Sequence, residues 1–250
     1  MNSNQPVALR LVACVLGAAL AMTTSACVSV NEKMNADHKT LANKAPAKTV
    51  SGGAYKAMPW AVGQWAFYAI RYEDVWSTQR VSIVEKAGDG YWLEVETIDP
   101  KNDNGPSRMK MQVKGYVPGD PSSVTRLRLG TVITQNGDAQ AMRAPPFIGP
   151  LTGGWVLSSF KIDVSKGKSG TAKVPAGTFN GAVKVYTDTK WGPVRVQADT
   201  WLHKAIPIWG IARSKSRDGN HEQRLLDFGT SGATTKIKGP ILGGAGPMGF

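Results

Sequence analysis

Between Trp65 and Gly115, apolar and polar residues alternate with a period of two, the spacing of a sheet with one buried face. Trp65, Phe67 and Ala69 alternate with Ala66, Tyr68 and Ile70, and Val81 and Ile83 follow with Arg80 and Ser82 beside them. Tyr91, Leu93 and Val95 alternate with Trp92, Glu94 and Glu96. The turn Ala87-Gly88-Asp89-Gly90 precedes that run, and Asp-Gly between two alternating runs predicts a hairpin. After the polar stretch 99–106, Met109, Met111 and Val113 alternate with Lys110, Gln112 and Lys114. The whole stretch predicts an antiparallel meander.

The middle of the chain is less regular. Residues 115–123 are rich in turn formers, residues 124–133 suit a strand, and Pro145, Pro146 and Pro150 exclude a central strand or a helix interior from 143–154. Alternation returns with Phe160, Ile162 and Val164, then Ala172 and Val174 before a bend at Pro175-Ala176-Gly177. It continues through Val183 and Val185, through Val194, Val196 and Ala198, and over residues 208–214 and 223–228, the last two runs flanking an Arg217-Asp218-Gly219-Asn220 hairpin turn. No segment within residues 59–229 carries a helical stripe of eleven residues or more, and any helix is expected to be short, near residues 40–45 ahead of that unit or near Met58. The fold class is mainly β: a strongly curved antiparallel sheet, an open barrel or a sandwich, with few short helices.

The two ends read differently from the middle. Residues 11–22 form an apolar run behind Arg10, the build of a signal-peptide core and too short to cross about 30 Å of hydrocarbon. Residues 23–27 resemble a bacterial lipobox, in which small residues precede a cysteine that is acylated and becomes the first mature residue. On that resemblance Cys27 is the lipidation site, residues 1–26 are a lipoprotein signal peptide, and Cys14 leaves with it. The position three before Cys27 is Thr24, where Leu is commonest, and an ordinary secretory signal cut near Ala26 is the alternative. Two or three acyl chains on one residue anchor firmly where a single one binds marginally. Val28 and Ser29 lack the aspartate that retains enteric lipoproteins at the inner membrane, so the sorting rule implies the periplasmic face of the outer membrane.

Residues 27–58 are polar, rich in Ala and Lys, and expected to be a flexible tether. Residues 230–250 are dominated by Gly and small residues and expected to be a disordered tail. All eight tryptophans fall between these ends, which bounds the folded domain at residues 59–229. The net charge of +12 thins there to 22 basic against 16 acidic side chains, with no nucleic-acid-binding motif, so nucleic acid is not an expected partner. Lysines in the tether suit an anionic membrane surface, each contributing on the order of 1 kcal/mol.

The stretch Val174-Pro175-Ala176-Gly177-Thr178-Phe179, followed by Asp199-Thr200-Trp201 and Pro207-Ile208-Trp209-Gly210, resembles the second half of periplasmic half-barrel proteins related to Lol-type lipoprotein carriers and their uncharacterised exported relatives. The resemblance covers residues 170–228. It implies an incomplete antiparallel barrel whose concave face holds an acyl chain or another hydrophobic ligand, free or attached to a lipidated protein. From the residues themselves, Pro175 and Gly177 mark a bulge that bends the sheet. Trp155, Phe160, Trp191, Trp201 and Trp209 are the candidate ligand contacts on the resulting concave face, or else they fill its interior.

Little in the sequence points to catalysis. His38, His203 and His221 have no partners at metal-ligand spacing and read as solvated side chains. Residues 99–105 resemble a calcium loop only superficially, since its first and last ligand positions fall on Pro100 and Met111. Glu94 and Glu96 share a strand face that reads as solvated, and there is neither a nucleophile elbow nor a phosphate-binding Gly-rich loop. No enzyme activity, catalytic residue, metal or cofactor is expected. Two functions fit: a lipid-anchored protein that binds a hydrophobic ligand, or an accessory module of an envelope protein complex that uses a sheet edge or its tail.

Overall fold

The computed structural model describes residues 29–117, 120–145, 162–191 and 194–243. Its strands are β1 (Thr49–Ser51), β2 (Trp65–Tyr72), β3 (Val75–Ala87), β4 (Gly90–Ile98), β5 (Ser107–Lys114), β6 (Arg128–Asn136), β7 (Met142–Arg143), β8 (Lys168–Val174), β9 (Gly177–Trp191), β10 (Val194–Leu202), β11 (Ile211–Ser216) and β12 (His221–Gly229). They form one curved sheet in the order β1-β9-β10-β11-β12-β2-β3-β4-β5-β6-β7, with β8 on the other edge of β9, and the sheet is not closed into a barrel. Two meanders, β2 to β7 and β8 to β12, are thus fused where the last strand pairs with the first long one, Leu225 opposite Tyr68. Every ladder between neighbouring strands is antiparallel except β1 with β9.

The period-two pattern sets the register. Val81 lies opposite both Ala66 and Val95, and Leu93 opposite both Ile83 and Met111, so one face collects the apolar side chains of β2 to β5. That inner face is dry: Tyr68, Val81, Ile83, Leu93, Met111, Val113, Phe179 and Leu225 are all fully buried. Complete burial of one such side chain stabilises by roughly 1.5–3 kcal/mol. The hairpin β8–β9 bends at Pro175-Ala176, as the sequence predicts, and its tip reaches across to β12, where Ala176 N donates to the Leu225 carbonyl at 3.1 Å. Both expected hairpins, at Asp89-Gly90 and at residues 217–220, are present. Residues 162–167 form a turn before β8 instead of the expected strand, and a 3-10 turn (Pro121–Arg126) precedes β6.

The largest departure lies in residues 27–58, read from sequence as a flexible tether. Asn31 N donates to the Pro100 carbonyl at 2.8 Å, and the Asn31 side chain caps helix α1 (Glu32–Ala42) by accepting from Met34 N at 3.0 Å. The helix lies on the outer face of β2, β3 and β12. Asn35 Oδ1 accepts from Trp76 N at 2.7 Å, its amide donates to the Asp74 carbonyl, and the buried His38 bonds the Trp76 carbonyl through Nδ1 at 3.0 Å. Ala42 packs with Ala69, Trp76 and Leu226 beneath the helix, and Arg224 donates to the Ala42 carbonyl and to Asn43 Oδ1, closing its C-terminus. Farther on, Thr178 N donates to the Lys48 carbonyl and β1 pairs with β9. The segment is joined to the sheet by polar contacts, which leave no apolar stripe in the sequence.

The Gly-rich end is also ordered as far as it is described. Trp65 Nε1 donates to the Ser231 carbonyl, Lys238 N donates to Gln135 Oε1, and Leu242 exchanges backbone bonds with Ala141 and Arg143. Residues 230–243 therefore cross the outer face from β2 to β7 as a strap. Glu94, expected on a solvated face, is 3% exposed because this strap covers it, with Thr235 Oγ1 and Lys236 N donating to its carboxylate at 2.5 and 2.6 Å.

Asn35→Ala removes two contacts that hold the helix and is expected to lower unfolding stability by about 1–2 kcal/mol in urea titration; a free tether predicts no change.

Candidate binding faces

The candidate ligand contacts do not converge on one described surface. Trp155 and Phe160 lie outside the described residues, as does Cys27, and Trp191 ends β9 with its side chain outside them. Trp209 is 4% exposed on the inner face, its ring centroid 6.0 Å from that of Tyr68. Trp201 sits opposite Lys184 and Arg213 on the outer face, with Lys184 Nζ 4.9 Å and the Arg213 guanidinium 5.6 Å from its ring. Adjacent strand positions alternate in face, so Trp201 parts from its neighbour Leu202, which is buried.

The second meander's interior is filled by its own chain. After Leu202 the chain folds inward over residues 203–210, with His203 N donating to the Gly210 carbonyl at 2.8 Å, and this places Ile206, Ile208 and Trp209 in the core. Gly210 has φ +69°, and an added Cβ would lie 2.5 Å from the Tyr55 hydroxyl, so the turn is confined to glycine on both counts. His203 is fully buried between the Phe179 ring and Gly52. Its Nδ1 accepts from Ala205 N at 3.2 Å, which leaves the proton on Nε2, toward the Asn180 carbonyl. Burial pushes this imidazole below its ordinary value despite that carbonyl, so it stays neutral, a structural histidine and not a solvated one. In the first meander, Trp60 stacks on Tyr116 with centroids 4.2 Å apart and meets Tyr91 edge-on.

Polar groups inside this core are few and specific. The Tyr68 hydroxyl and Gln223 Nε2 are buried with no hydrogen-bond partner among the described residues. Burial drives the Tyr68 phenol far above its ordinary value, with Tyr55 adding to it, and burial also pushes Tyr55 up to about 12. Both phenols are neutral donors. Gln223 lies opposite Ile70, two places along β2 from Tyr68, so the two unpartnered groups occupy one region of the inner face.

The outer face carries the charge. Glu222, its side chain 4% exposed, accepts from Arg213 at 2.6 Å and from Arg224 at 2.9 Å, with Arg71 3.9 Å away. Burial opposes ionisation here, yet hydrogen bonds from Arg224 and Arg213 outweigh it and hold the carboxyl below its usual range. Glu96 pairs with Arg108 at 2.7 Å, so neither carboxylate of β4 is free for acid–base work. Among the described residues there is no group of three or more His, Cys, Asp or Glu side chains that could hold a metal ion.

The free edge of β8 is the remaining polar surface of note. One edge of the strand is bonded to β9 over Lys168 to Val174 and the other carries no ladder among the described residues. Lys168, Ser169, Gly170, Thr171 and Lys173 are exposed along it. The described residues also line cavities elsewhere, two of which stand out. One, of about 30 Å³, lies under the strap between Arg80, Ser82, Glu94 and Glu96 and has the size of a single water; the other, of about 660 Å³, opens between the β3–β4 turn and the start of β6 beside Val117 and Leu127.

Because its folded pKa is depressed, Glu222 contributes stability that is present above about pH 4.3 and lost as pH falls through the lower folded value. Glu222→Gln is expected to destabilise the domain by about 2 kcal/mol at pH 7 and to flatten the acid side of the stability–pH curve, as read by denaturant titration from neutral pH downward.

Comparison of the sequence with protein-family descriptions and with characterised proteins finds no match. Solved structures show distant likeness. MucB in complex with MucA(peri) is 10% identical with a TM-score of 0.34, over 72% of this chain and 54% of that one. The Pseudomonas aeruginosa MucA/MucB complex gives 10% and 0.37, over 71% and 55%. A provisionally named lipoprotein from Parabacteroides distasonis ATCC 8503 gives 11% and 0.30, over 70% of this chain and 100% of that one. The chain spans about half the length of the MucB chains it matches.

Proposed function

We propose that this chain is an outer-membrane lipoprotein, acylated at Cys27 and facing the periplasm, whose domain is a non-enzymatic accessory module that binds an extended segment of an envelope protein. The observation that carries this reading is the edge of β8: a seven-residue strand paired on one side only among the described residues, with four consecutive exposed residues from Lys168 to Thr171. An extended peptide laid along such an edge gains backbone hydrogen bonds as an added strand. Lys168 and Lys173 discourage unselective edge pairing and favour acidic side chains in the partner. The Gly-rich tail, the other candidate for this role, is already engaged by Glu94 and Gln135 through residue 238.

The second reading is a lipid or other hydrophobic ligand on the concave face, as the likeness to Lol-type carriers implies. It is favoured by the unpartnered Tyr68 hydroxyl and Gln223 amide, which offer donors to a ligand's polar group. It is weakened by the self-filling of the interior with Trp209, Phe179 and residues 203–210. Trp155, Phe160 and Trp191 would be its further contacts.

A photo-crosslinking side chain placed at Thr171 in cells is expected to give one discrete, stoichiometric protein adduct, which the same side chain at Lys33 on the helix does not give. In parallel, the Cys27→Ser protein, purified without detergent, is expected to carry no bound lipid by mass spectrometry. No adduct from any β8 position, together with one lipid per chain, would establish the second reading in place of the first.

A further inference from the structure

Docking of residues 31–51 onto the sheet has a consequence for how the anchored domain meets the bilayer. We infer that the lipid at Cys27 holds the domain in one orientation, with the turns β2–β3, β4–β5 and β6–β7 facing the membrane and the β3–β4 and β5–β6 end facing away. The inference rests on acylation of Cys27, proposed above. Only Val28, Ser29 and Val30 separate that residue from Asn31, which is bonded to Pro100 in the β4–β5 turn. Four peptide steps reach at most about 14 Å when fully extended. A free tether over residues 27–58 would instead have a root-mean-square span of about 30 Å and leave the orientation open.

The geometry of the sheet defines what lies at each end. Asn35 bonds the Asp74 carbonyl in the β2–β3 turn, Glu73 N donates to the Asn220 carbonyl, and Arg108 donates to the Gly137 carbonyl. These contacts group the four turns at residues 73–74, 99–106, 137–139 and 217–220 at the end where Asn31 is bound. The thirteen residues of β3 carry the sheet about 40 Å to the opposite end. That distance is well beyond the leash, so the far end reaches the bilayer only if the domain tilts or the helix is stripped from Trp76.

Charge is divided between the same two ends. The near turns hold Glu73, Asp74, Asp99, Asp103, Asp138 and Asp218 against Lys101 and Arg217, and the β9–β10 strand ends, which run past Ser216 on the same side, add Asp188 against Lys190 and Arg195. The far end holds Lys48, Lys86, Lys114, Arg126, Arg128 and Lys204 against Glu85, Asp89 and Asp120. A free domain would turn the basic end toward anionic headgroups, each Lys or Arg near the surface contributing about 1 kcal/mol. The leash opposes this. It is longer than the Debye length of about 8 Å, so the acidic turns can stand off from the surface, while the basic end lies outside the membrane's field and is directed into the periplasm.

The test uses the full-length acylated protein in vesicles of phosphatidylethanolamine with phosphatidylglycerol as the minor anionic component, and a resonance-energy-transfer quencher on the headgroups whose range exceeds the leash of about 14 Å but falls short of the far end of the sheet. With the Cys27 sulphur acylated and Cys14 removed with the signal peptide, an introduced cysteine is the only free thiol available for a fluorophore. Emission is expected to be lost at Lys101→Cys and at Asp138→Cys and unchanged at Asp89→Cys. Inserting a long Gly/Ser stretch between Val28 and Ser29 is expected to restore emission at the two near positions. Equal quenching at both ends, quenching at Asp89→Cys alone, or no quenching anywhere overturns the orientation, provided that intact mass shows the acylated chain and the protein floats with the vesicles. An unacylated chain that does not float is a different outcome: it removes the anchor itself, and the orientation with it.

Discussion

The polar seam between helix α1 and the backbone at Asp74 and Trp76 is the contact on which the N-terminal architecture depends. Eleven residues are too few to hold a helix in water unaided. This helix persists because Asn35 and His38 satisfy the backbone groups of the β3 end, while Arg224 satisfies the helix C-terminus. Once the helix is fixed, the following residues are led to Lys48 and β1, where they pair with β9 and occupy an edge of the second meander. A segment with the composition of a spacer thereby becomes part of the folded domain and shortens the chain between the domain and Cys27 to a few residues.

The two faces of the sheet divide the remaining work. The inner face is apolar and largely filled by aromatic side chains and by the inward loop after β10, which gives the sheet a dry core without closure. The outer face is braced by charge and by chain: the Glu222 cluster with its arginines, the helix over β2, β3 and β12, and the strap from Ser231 to Leu242. Among the described residues, β8 and the part of β9 beyond Lys184 keep an edge without a ladder.

Much of the fold is legible in the sequence because burial on one face imposes alternation. Trp65 to Val113 and Val183 to Ala198 reveal their strands in this way, and Asp89-Gly90 and Gly219-Asn220 reveal their turns. The helix is not legible, since the residues that face the sheet, Asn35 and His38 with Ala42, bond to backbone and show no hydrophobic stripe. The strap is hidden for a related reason: it is held through backbone N–H groups at Lys236 and Lys238, which any sequence supplies. Glu94 carries no sign of burial because its partners are 141 and 142 residues away. The aromatic contacts are legible as large buried groups but not as one surface, because Trp201 and Trp209 fall on opposite sides of a strand end and an inward loop. Only the helix start has a local signal, the N-cap residue Asn31 followed by the acidic Glu32 in the first turn.

The central claim is that residues 31–51 belong to the folded domain, and native-state hydrogen exchange of the full chain tests it most directly. The account predicts that amides of residues 35–42 exchange slowly, and that they lose protection together with β2, β3 and β12 as denaturant rises. Exchange of those helix amides at the rate of unstructured chain, while the sheet stays protected, would contradict it.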